Sequence, residues 1–399
     1  MTATTTTSGK LANVTLPTGW RTVRFGDAVR NVNVTIDPEE SGLERYVAGE
    51  HMTTDDLHIR SWGTIGDGYL GPAFHRKFVA GQVLYGSRRT YLRKVAMADF
   101  DGICANTTFV LEPLGDDLIP ELLPFIMQTE SFVTHSMQQS RGSTNPYVTF
   151  KDLAWFEFAL PPRDEQRRIA EILWALDDAL EMYLIVDQCL DNALDSILSE
   201  SFSQNDSSTT KLSDFCDKDG MRIGPFGSQL HASEYQEEGI PVIMPSNMSF
   251  DQIETDNIAK IGTQTAKRLS LHKVQEGDIL LPRRGDLSKR AYIYREQEGW
   301  ICGTGSIRIR PKKDVSSRAI FYALSTRRVN NWIADHAVGT TMANLNSQIV
   351  SSIPIILPEN HKIEPIVEVI EKSKGSRNAN SIKLKSLQTL KAQLLSELL

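Results

Sequence analysis

Four stretches of this chain recur in the same order, and such an internal duplication limits the possible folds more than any compositional average does. VRFGDAV (23–29) resembles KLSDFCD (211–217), and FVAGQVLYGSRR (78–89) resembles VQEGDILLPRR (274–284). DGICANTTFVLEP (101–113) resembles GWICGTGSIRIRP (299–311). RGSTNPYVTFKDLAWFEFALPP (141–162) resembles VGTTMANLNSQIVSSIPIILPE (338–359), with Gly142 over Gly339 and Pro161 over Pro358. The offset is 188 at the first pair and 196 to 198 at the other three. The chain reads as two copies of one unit, each a globular region closed by a proline step.

A helix is expected after each step. Pro161 and Pro162 disfavour helix before them and suit a first turn, and Asp164 and Glu165 place negative charge beside the helix N-terminus. Apolar residues then fall at Ile169, Leu173, Leu176, Leu180, Tyr183, Leu190, Leu194 and Ile197, a coiled-coil seam broken only by Asp187. Shifted by 197, the seam is obeyed in the second copy by Ile366, Ile370, Leu384, Leu387, Leu394 and Leu398, but not by Ser373, Arg377, Asn380 and Lys391. SKGSRNANS (373–381) reads as a weak spot where a kink or local opening is expected, because glycine costs about 1 kcal/mol in a helix interior. Each helix has one apolar stripe to bury; the first is acidic and the second mildly basic, so packing them together satisfies both.

Between these helices lie short β-like runs separated by turns rich in Gly, Pro, Asn and Asp, with one helix expected in each copy at about 119–136 and 316–334. The expected fold class is therefore α+β. Two tandem-repeat globular domains are separated by two long antiparallel helices paired as a coiled coil, in a pseudo-two-fold arrangement. The boundaries fall at 1–160, 161–203, 204–357 and 358–399, with the helices in the second and fourth segments. If each domain sits at the start of its own helix, antiparallel pairing sets the domains at opposite ends of a rod about 55 Å long.

Net charge is −7, which at first sight opposes nucleic-acid binding. Its distribution reverses that reading: residues 161–200 alone carry −7, and the remainder of the chain is near neutral. MTATTTTSGK has no apolar stretch, so it reads as a frayed tail rather than a signal peptide, and no run approaches the roughly 18 apolar residues that span a bilayer. Four cysteines form no CxxC pair, which favours the reducing cytoplasm.

Catalytic readings find little support. WGTIGDGYLG (62–71) lacks the preceding strand and following helix of a dinucleotide loop and reads as a glycine-rich turn. Asn145-Pro146-Tyr147 is similar to the base-holding motif of amino-methyltransferases but lacks one proline and any companion glycine motif, so a turn is preferred. His51, Asp55, Asp56 and His58 have no metal-ligand spacing. Binding remains. Arg88, Arg89, Arg93 and Lys94 in one copy correspond to Arg283, Arg284, Lys289 and Arg290 in the other, with Tyr91 and Tyr292 inside these clusters. Arg141, Ser143 and Thr144, with Thr340 and Thr341 in the second copy, offer small hydroxyls and backbone N–H groups to phosphate. Arginine forks suit both phosphates and guanine edges. A charged cluster is ordinarily only a solvated face; two at equivalent places in a duplicated chain make nucleic-acid binding an equal alternative to that reading.

RYVAGEH (45–51), VLYGSRRTYLRKV (83–95), DGICAN (101–106) and LPPRDEQRRIAEIL (160–173) carry a further signal, with a weaker copy at LPENHKIEPIVEVI (357–370). Over nearly its full length the chain resembles the specificity subunit of type I restriction–modification enzymes. The resemblance implies two target-recognition domains, each reading half of a split DNA target, and long helices that set the spacer. It implies no catalysis and no cofactor on this chain. Two methyltransferase subunits would bring S-adenosylmethionine, restriction–translocation subunits would bring ATP and magnesium, and no membrane would be involved. The L-P-P-x-x-E-Q step places partner-docking residues at Glu165, Gln166, Arg167 and Arg168; Lys362 and Ile363 stand where its Glu and Gln would be in the second copy. A self-contained adenine methyltransferase and a coiled-coil adaptor that binds no DNA are the alternatives.

Overall fold

The computed structural model describes residues 16–202, 209–249, 251–339 and 344–399. The N-terminal tail, Thr340 and Thr341 therefore lie outside the described residues. The chain divides into two compact units, residues 1–184 with 382–399 and residues 185–381. Each thus holds one globular region and half of each long helix.

In the first unit the strands are β1 (Arg21–Arg24), β2 (Val29–Val32), β3 (Arg45–Val47), β4 (Gly63–Thr64), β5 (Phe74–Phe78), β6 (Val83–Gly86), β7 (Val95–Met97), β8 (Gly102–Ala105), β9 (Thr108–Pro113) and β10 (Glu157–Leu160). The second has β11 (Thr210–Lys211), β12 (Cys216–Ile223), β13 (Tyr235–Gln236), β14 (Ile240–Ile243), β15 (Lys260–Ile261), β16 (Ile279–Pro282), β17 (Ala291–Tyr292), β18 (Ile301–Cys302), β19 (Ser306–Pro311) and β20 (Pro354–Ile355). The order β2-β9-β6-β7 returns as β12-β19-β16-β17. The parallel pairing of Tyr46 and Val47 with Ile103 and Cys104 returns as Val242 and Ile243 with Ile301 and Cys302. β1 pairs with β10 and β11 with β20, so each copy closes on itself just before its proline step. The duplication read from sequence is thus a duplication of hydrogen-bond register.

The run of VLY in β6 and ILL in β16 is buried without alternation because both faces of these sheets are covered. One face of the first sheet meets Phe25, Phe125, Phe132 and Phe156, and its counterpart meets Ile320, Phe321, Leu324 and Ile333. The single helix expected in each copy is two helices. Leu123–Gln128 is followed by Glu130–Gln139, and Ser317–Ser325 by Arg327–His336. Thr129 and Thr326 cause the breaks: each adopts an extended backbone, and its hydroxyl accepts from the N–H three residues on, Phe132 at 3.3 Å and Val329 at 3.4 Å.

The long helices run over Arg163–Ser201 and Asn360–Leu398. In the first unit Leu395 joins Ile169 and Leu173 in one cluster, and in the second Ile370 and Val367 join Leu194 and Leu198. The two helices run antiparallel in both units. Three of the four positions that break the second seam turn out to be polar partners across it. Lys391 Nζ donates to Asp177 at 2.5 Å, Arg377 Nε to Asp191 at 2.7 Å, and Asn380 Nδ2 to Asp187 at 3.2 Å. The expected kink at Gly375 is absent, the helix running through it unbroken with no neighbouring atom within 4 Å of where a Cβ would stand. Gly375→Ala is therefore expected to stabilise the chain by about 1 kcal/mol, read as a shift in the denaturant midpoint.

Ion pairs fasten each globular region to its helices. In the first unit Asp177, buried, receives both Lys391 and His58 Nε2, the latter at 2.9 Å, while Arg60 bridges Asp56 and Glu181. In the second unit the buried acid belongs to the domain instead: Lys374 of the helix and Arg318 of the domain converge on Asp251, and Arg318 also meets Glu371 of the helix at 3.1 Å. The bond to Asp177 raises the His58 pKa above its ordinary 6.5, with burial opposing and Glu181 and Asp56 assisting. Burial pushes the Asp177 carboxyl up, but His58 and Lys391 outweigh it and hold the group below the usual carboxylate value. A raised histidine stabilises in full below its unfolded pKa and less as pH climbs through the folded one. The melting-temperature gap between wild type and His58→Gln should accordingly be wider at about pH 6 than at about pH 8.5.

Candidate nucleic-acid interface

At one rim of each globular region, three backbone segments interlock in the same way. In the first unit Ser87 N donates to Thr107 O at 3.0 Å and Ser87 O accepts from Val148 N at 2.9 Å. In the second, Arg283 N donates to Gly305 O at 2.6 Å and its carbonyl accepts from Leu345 N at 2.7 Å. The next residue bridges a return segment, Arg88 to Tyr147 and Arg284 to Asn344, and that segment is itself bridged by Arg141 and Val338 respectively. Ser87 is therefore equivalent to Arg283 and Arg88 to Arg284.

This shifts the sequence alignment of the basic clusters by one residue. The strands carry the correction further: Leu84 pairs with Ala96 where Leu280 pairs with Ala291, so Arg290 occupies the place of buried Val95 and Tyr292 that of Met97. The intervening loop is shorter in the second unit, and a match by residue type slips across the gap. Arg290 is 1% exposed, its guanidinium donating to Ser288 O and Asn330 Oδ1. Burial brings its pKa down to about 10. Tyr292 is also buried, its hydroxyl 2.8 Å from Ser317 Oγ and its ring 4.0 Å under the Arg318 guanidinium. Neither belongs to a solvent-facing basic cluster.

Other basic residues are engaged where they stand, two of them by carboxylates. Arg93 donates to Asp55 at 2.7 Å and pairs with Glu130, Lys94 donates to Gly49 O, and Arg141 meets Asp152 at 2.5 Å. Arg88, Arg89, Arg284 and Tyr91 are exposed, and Lys289 and Arg283 half-buried; among the described residues these five cations form no ion pair. Arg89 sits in the left-handed region at φ 51° with its N–H on Pro146 O at 2.6 Å, which fixes where its side chain departs. The Arg88 guanidinium lies 5.6 Å from the Tyr147 ring centre, held over an aromatic face. Ser143 and Thr144 are exposed beside it. Asn145-Pro146-Tyr147 thus acts as the cross-piece that aims two arginines. An exposed pair of unpaired guanidinium groups on rigid backbone can meet phosphate or guanine bidentately.

Of the four residues at the start of the first long helix, Gln166 is 1% exposed. Its Oε1 accepts from Ile119 N at 2.9 Å and its Nε2 donates to Asp117 O at 2.8 Å and Pro161 O at 2.9 Å. It staples the helix to its domain and offers nothing to a partner. Glu165 and Arg168 pair at 2.7 Å and Arg167 pairs with Asp164, all on the outer surface. His51, Asp55, Asp56 and His58 do not converge on one point: His51 Nδ1 caps Ala48 N, and the others meet Arg93, Arg60 and Asp177. The glycines of WGTIGDGYLG make a turn after β4, with φ of 102°, 132° and 76° at Gly66, Gly68 and Gly71, and no helix follows. A cavity of about 740 Å³ in the first unit, lined by Asp55, His58, Asp177 and Lys391 among others, lies over the internally neutralised joint and not at the arginine rim.

The sequence model of the type I restriction modification DNA specificity domain matches twice, over residues 68–185 and 205–385. The chain belongs to that family. Among its relatives, the EcoDI specificity subunit of Escherichia coli is 29% identical over 200 residues, covering 47% of this chain and 42% of that protein. The chain thus spans less than half the length of that relative. The MjaVIII specificity subunit of Methanocaldococcus jannaschii is 20% identical over 94% of this chain and 90% of its own. The fold is that of a type I restriction–modification S subunit from M. genitalium, with a TM-score of 0.60 at 16% identity over 98% of each chain. Within this specificity fold, buried and exposed arginines have separable effects. Arg290→Ala should destabilise by about 3 kcal/mol, because Asn330 and Ser288 lose a buried partner, and Arg284→Ala by no more than about 0.5 kcal/mol, both measured by denaturant unfolding.

Proposed function

We propose that this chain is the non-catalytic DNA-recognition subunit of a type I restriction–modification assembly. Each unit reads one half of a bipartite duplex target, and the two 39-residue helices set the unread spacer. What carries the reading is the recurrence of an exposed, unpaired arginine, Arg88 and Arg284, at one backbone position of two DNA-specificity-family units. Phosphate contacts from Arg89, Lys289, Ser143 and Thr144 position the duplex; arginine forks read base edges. Glu165, half-buried, and the exposed Arg167 and Arg168 dock two methyltransferase subunits. Those partners supply S-adenosylmethionine chemistry, and restriction–translocation subunits, where present, use ATP and magnesium; the setting is the cytoplasm. The net charge of −7 is compatible with this because it is concentrated in residues 161–200, away from both rims.

Arg88→Ala combined with Arg284→Ala should weaken duplex binding and lower the slope of log K against log salt by about two counterions. Deleting the chain should abolish one bipartite adenine-methylation pattern in the host genome. Unchanged binding by the double variant in the assembled complex would favour the adaptor reading. Micromolar S-adenosylmethionine binding by the lone chain would favour a methyltransferase.

A further inference from the structure

The loop Gly224-Pro225-Phe226-Gly227 of the second unit holds an aromatic ring out in solvent, Phe226 being 57% exposed. Its backbone is not free to fold the ring away. Gly224 N donates to Ser306 O at 2.9 Å, and a Cβ on Gly224 would stand 1.8 Å from Gly303 O, so only glycine permits this approach. Thr304 Oγ1 donates to Pro225 O at 2.7 Å, and Pro225 is itself buried. On the far side Gly227 turns the chain at φ 57°, and Gln229 N returns to Phe226 O at 3.2 Å. The loop is thus clamped to the turn Gly303–Gly305 at its start and closed on itself at its end.

That turn belongs to the arginine rim. Gly305 O accepts from Arg283 N, and Arg284 Nε lies 3.6 Å from where a Gly305 Cβ would be. On the loop's other flank Arg268 donates to Gln229 O at 2.6 Å but is paired with Glu234, so the unpaired cations beside the loop are Arg283 and Arg284. An exposed phenylalanine costs solubility and gains nothing in the free protein, yet here glycine and proline are used to fix it among guanidinium groups. Charge complementarity selects the occupant: a polyanion whose interior is apolar and flat. Duplex DNA has both properties, phosphates for the arginines and a base step for the ring.

We propose that Phe226 is a wedge that inserts at one base step of the half-site read by the second unit. The inference rests on the DNA-recognition reading above and adds a specific contact to it. Apolar wedges partially unstack the step they enter, and pyrimidine–purine steps such as TA and CA/TG yield most readily. Phe226 therefore selects a deformable step without any hydrogen bond to a base, alongside the arginines that read edges.

The test uses the full chain and a duplex library with a randomised central region, bound at low salt, recovered and sequenced. Wild type should enrich a bipartite sequence with a flexible step in one half. Phe226→Ala should keep the other half unchanged and lose the preference for that step. It should also bind the wild-type consensus about tenfold more weakly, the order of one lost base–aromatic contact. Phe226→Trp should restore both, and the exposed position should leave the melting temperature of each variant unchanged. If Phe226→Ala enriches the same sequence with the same affinity, or weakens all duplexes evenly, the wedge is overturned while DNA recognition stands. If wild type enriches no sequence, DNA recognition fails and the wedge falls with it.

Discussion

The pairing of oppositely charged side chains inside the helix seam is the constraint on which the rest of this structure depends. Apolar seam residues such as Leu173 and Ile370, each fully buried, contribute on the order of 2 kcal/mol apiece, but an all-apolar seam tolerates sliding by a turn. The buried pair of Lys391 and Asp177 does not: a slip would leave buried charge without a partner, a loss of about 3 to 5 kcal/mol, and Asn380 on Asp187 and the more exposed Arg377 on Asp191 favour the same register. Register is thereby fixed within each unit. Because the same helices carry the proline steps and the ion pairs to the domains, the placement of every domain residue on its helices follows from that register.

The duplication, the two long helices and the seam were all legible in the sequence, because each is a periodic property and periodicity survives changes of individual residues. The places where reading failed are the aperiodic ones. Ser373, Arg377, Asn380 and Lys391 looked like defects in the second helix, since the acid that answers each of three of them lies 186 to 214 residues away on the other helix. Gly375 looked like a hinge, yet propensity costs about 1 kcal/mol and tertiary packing of a 39-residue helix overrides it. Gln166 read as a surface residue of a docking motif, whereas its amide satisfies three backbone groups around the helix start. No pattern in a single chain distinguishes those two uses of a glutamine.

The basic residues make the same point about charge. Arginine count marks out a region, but only the partners decide which guanidinium groups remain available. Arg93 and Arg141 are matched by carboxylates, Arg290 is folded into the space that valine fills in the first copy, and Arg88, Arg89 and Arg284 stay open. A one-residue difference in loop length was enough to move a basic residue from the surface to the core. The usable cations are thus set by strand register, which the alternating pattern of so short a strand does not specify.

Asp177 and Lys374 hold corresponding positions in the two long helices, one an acid approached by His58, the other a base approached by Asp251. At this one position the two sockets carry opposite electrical signs. A globular region transplanted from one half of the polypeptide to the other would set carboxylate against carboxylate or imidazolium against ammonium. The counter-charge of each head therefore lies on the helix more than ten residues past its proline step, and the electrostatic unit is the head together with that stretch of helix.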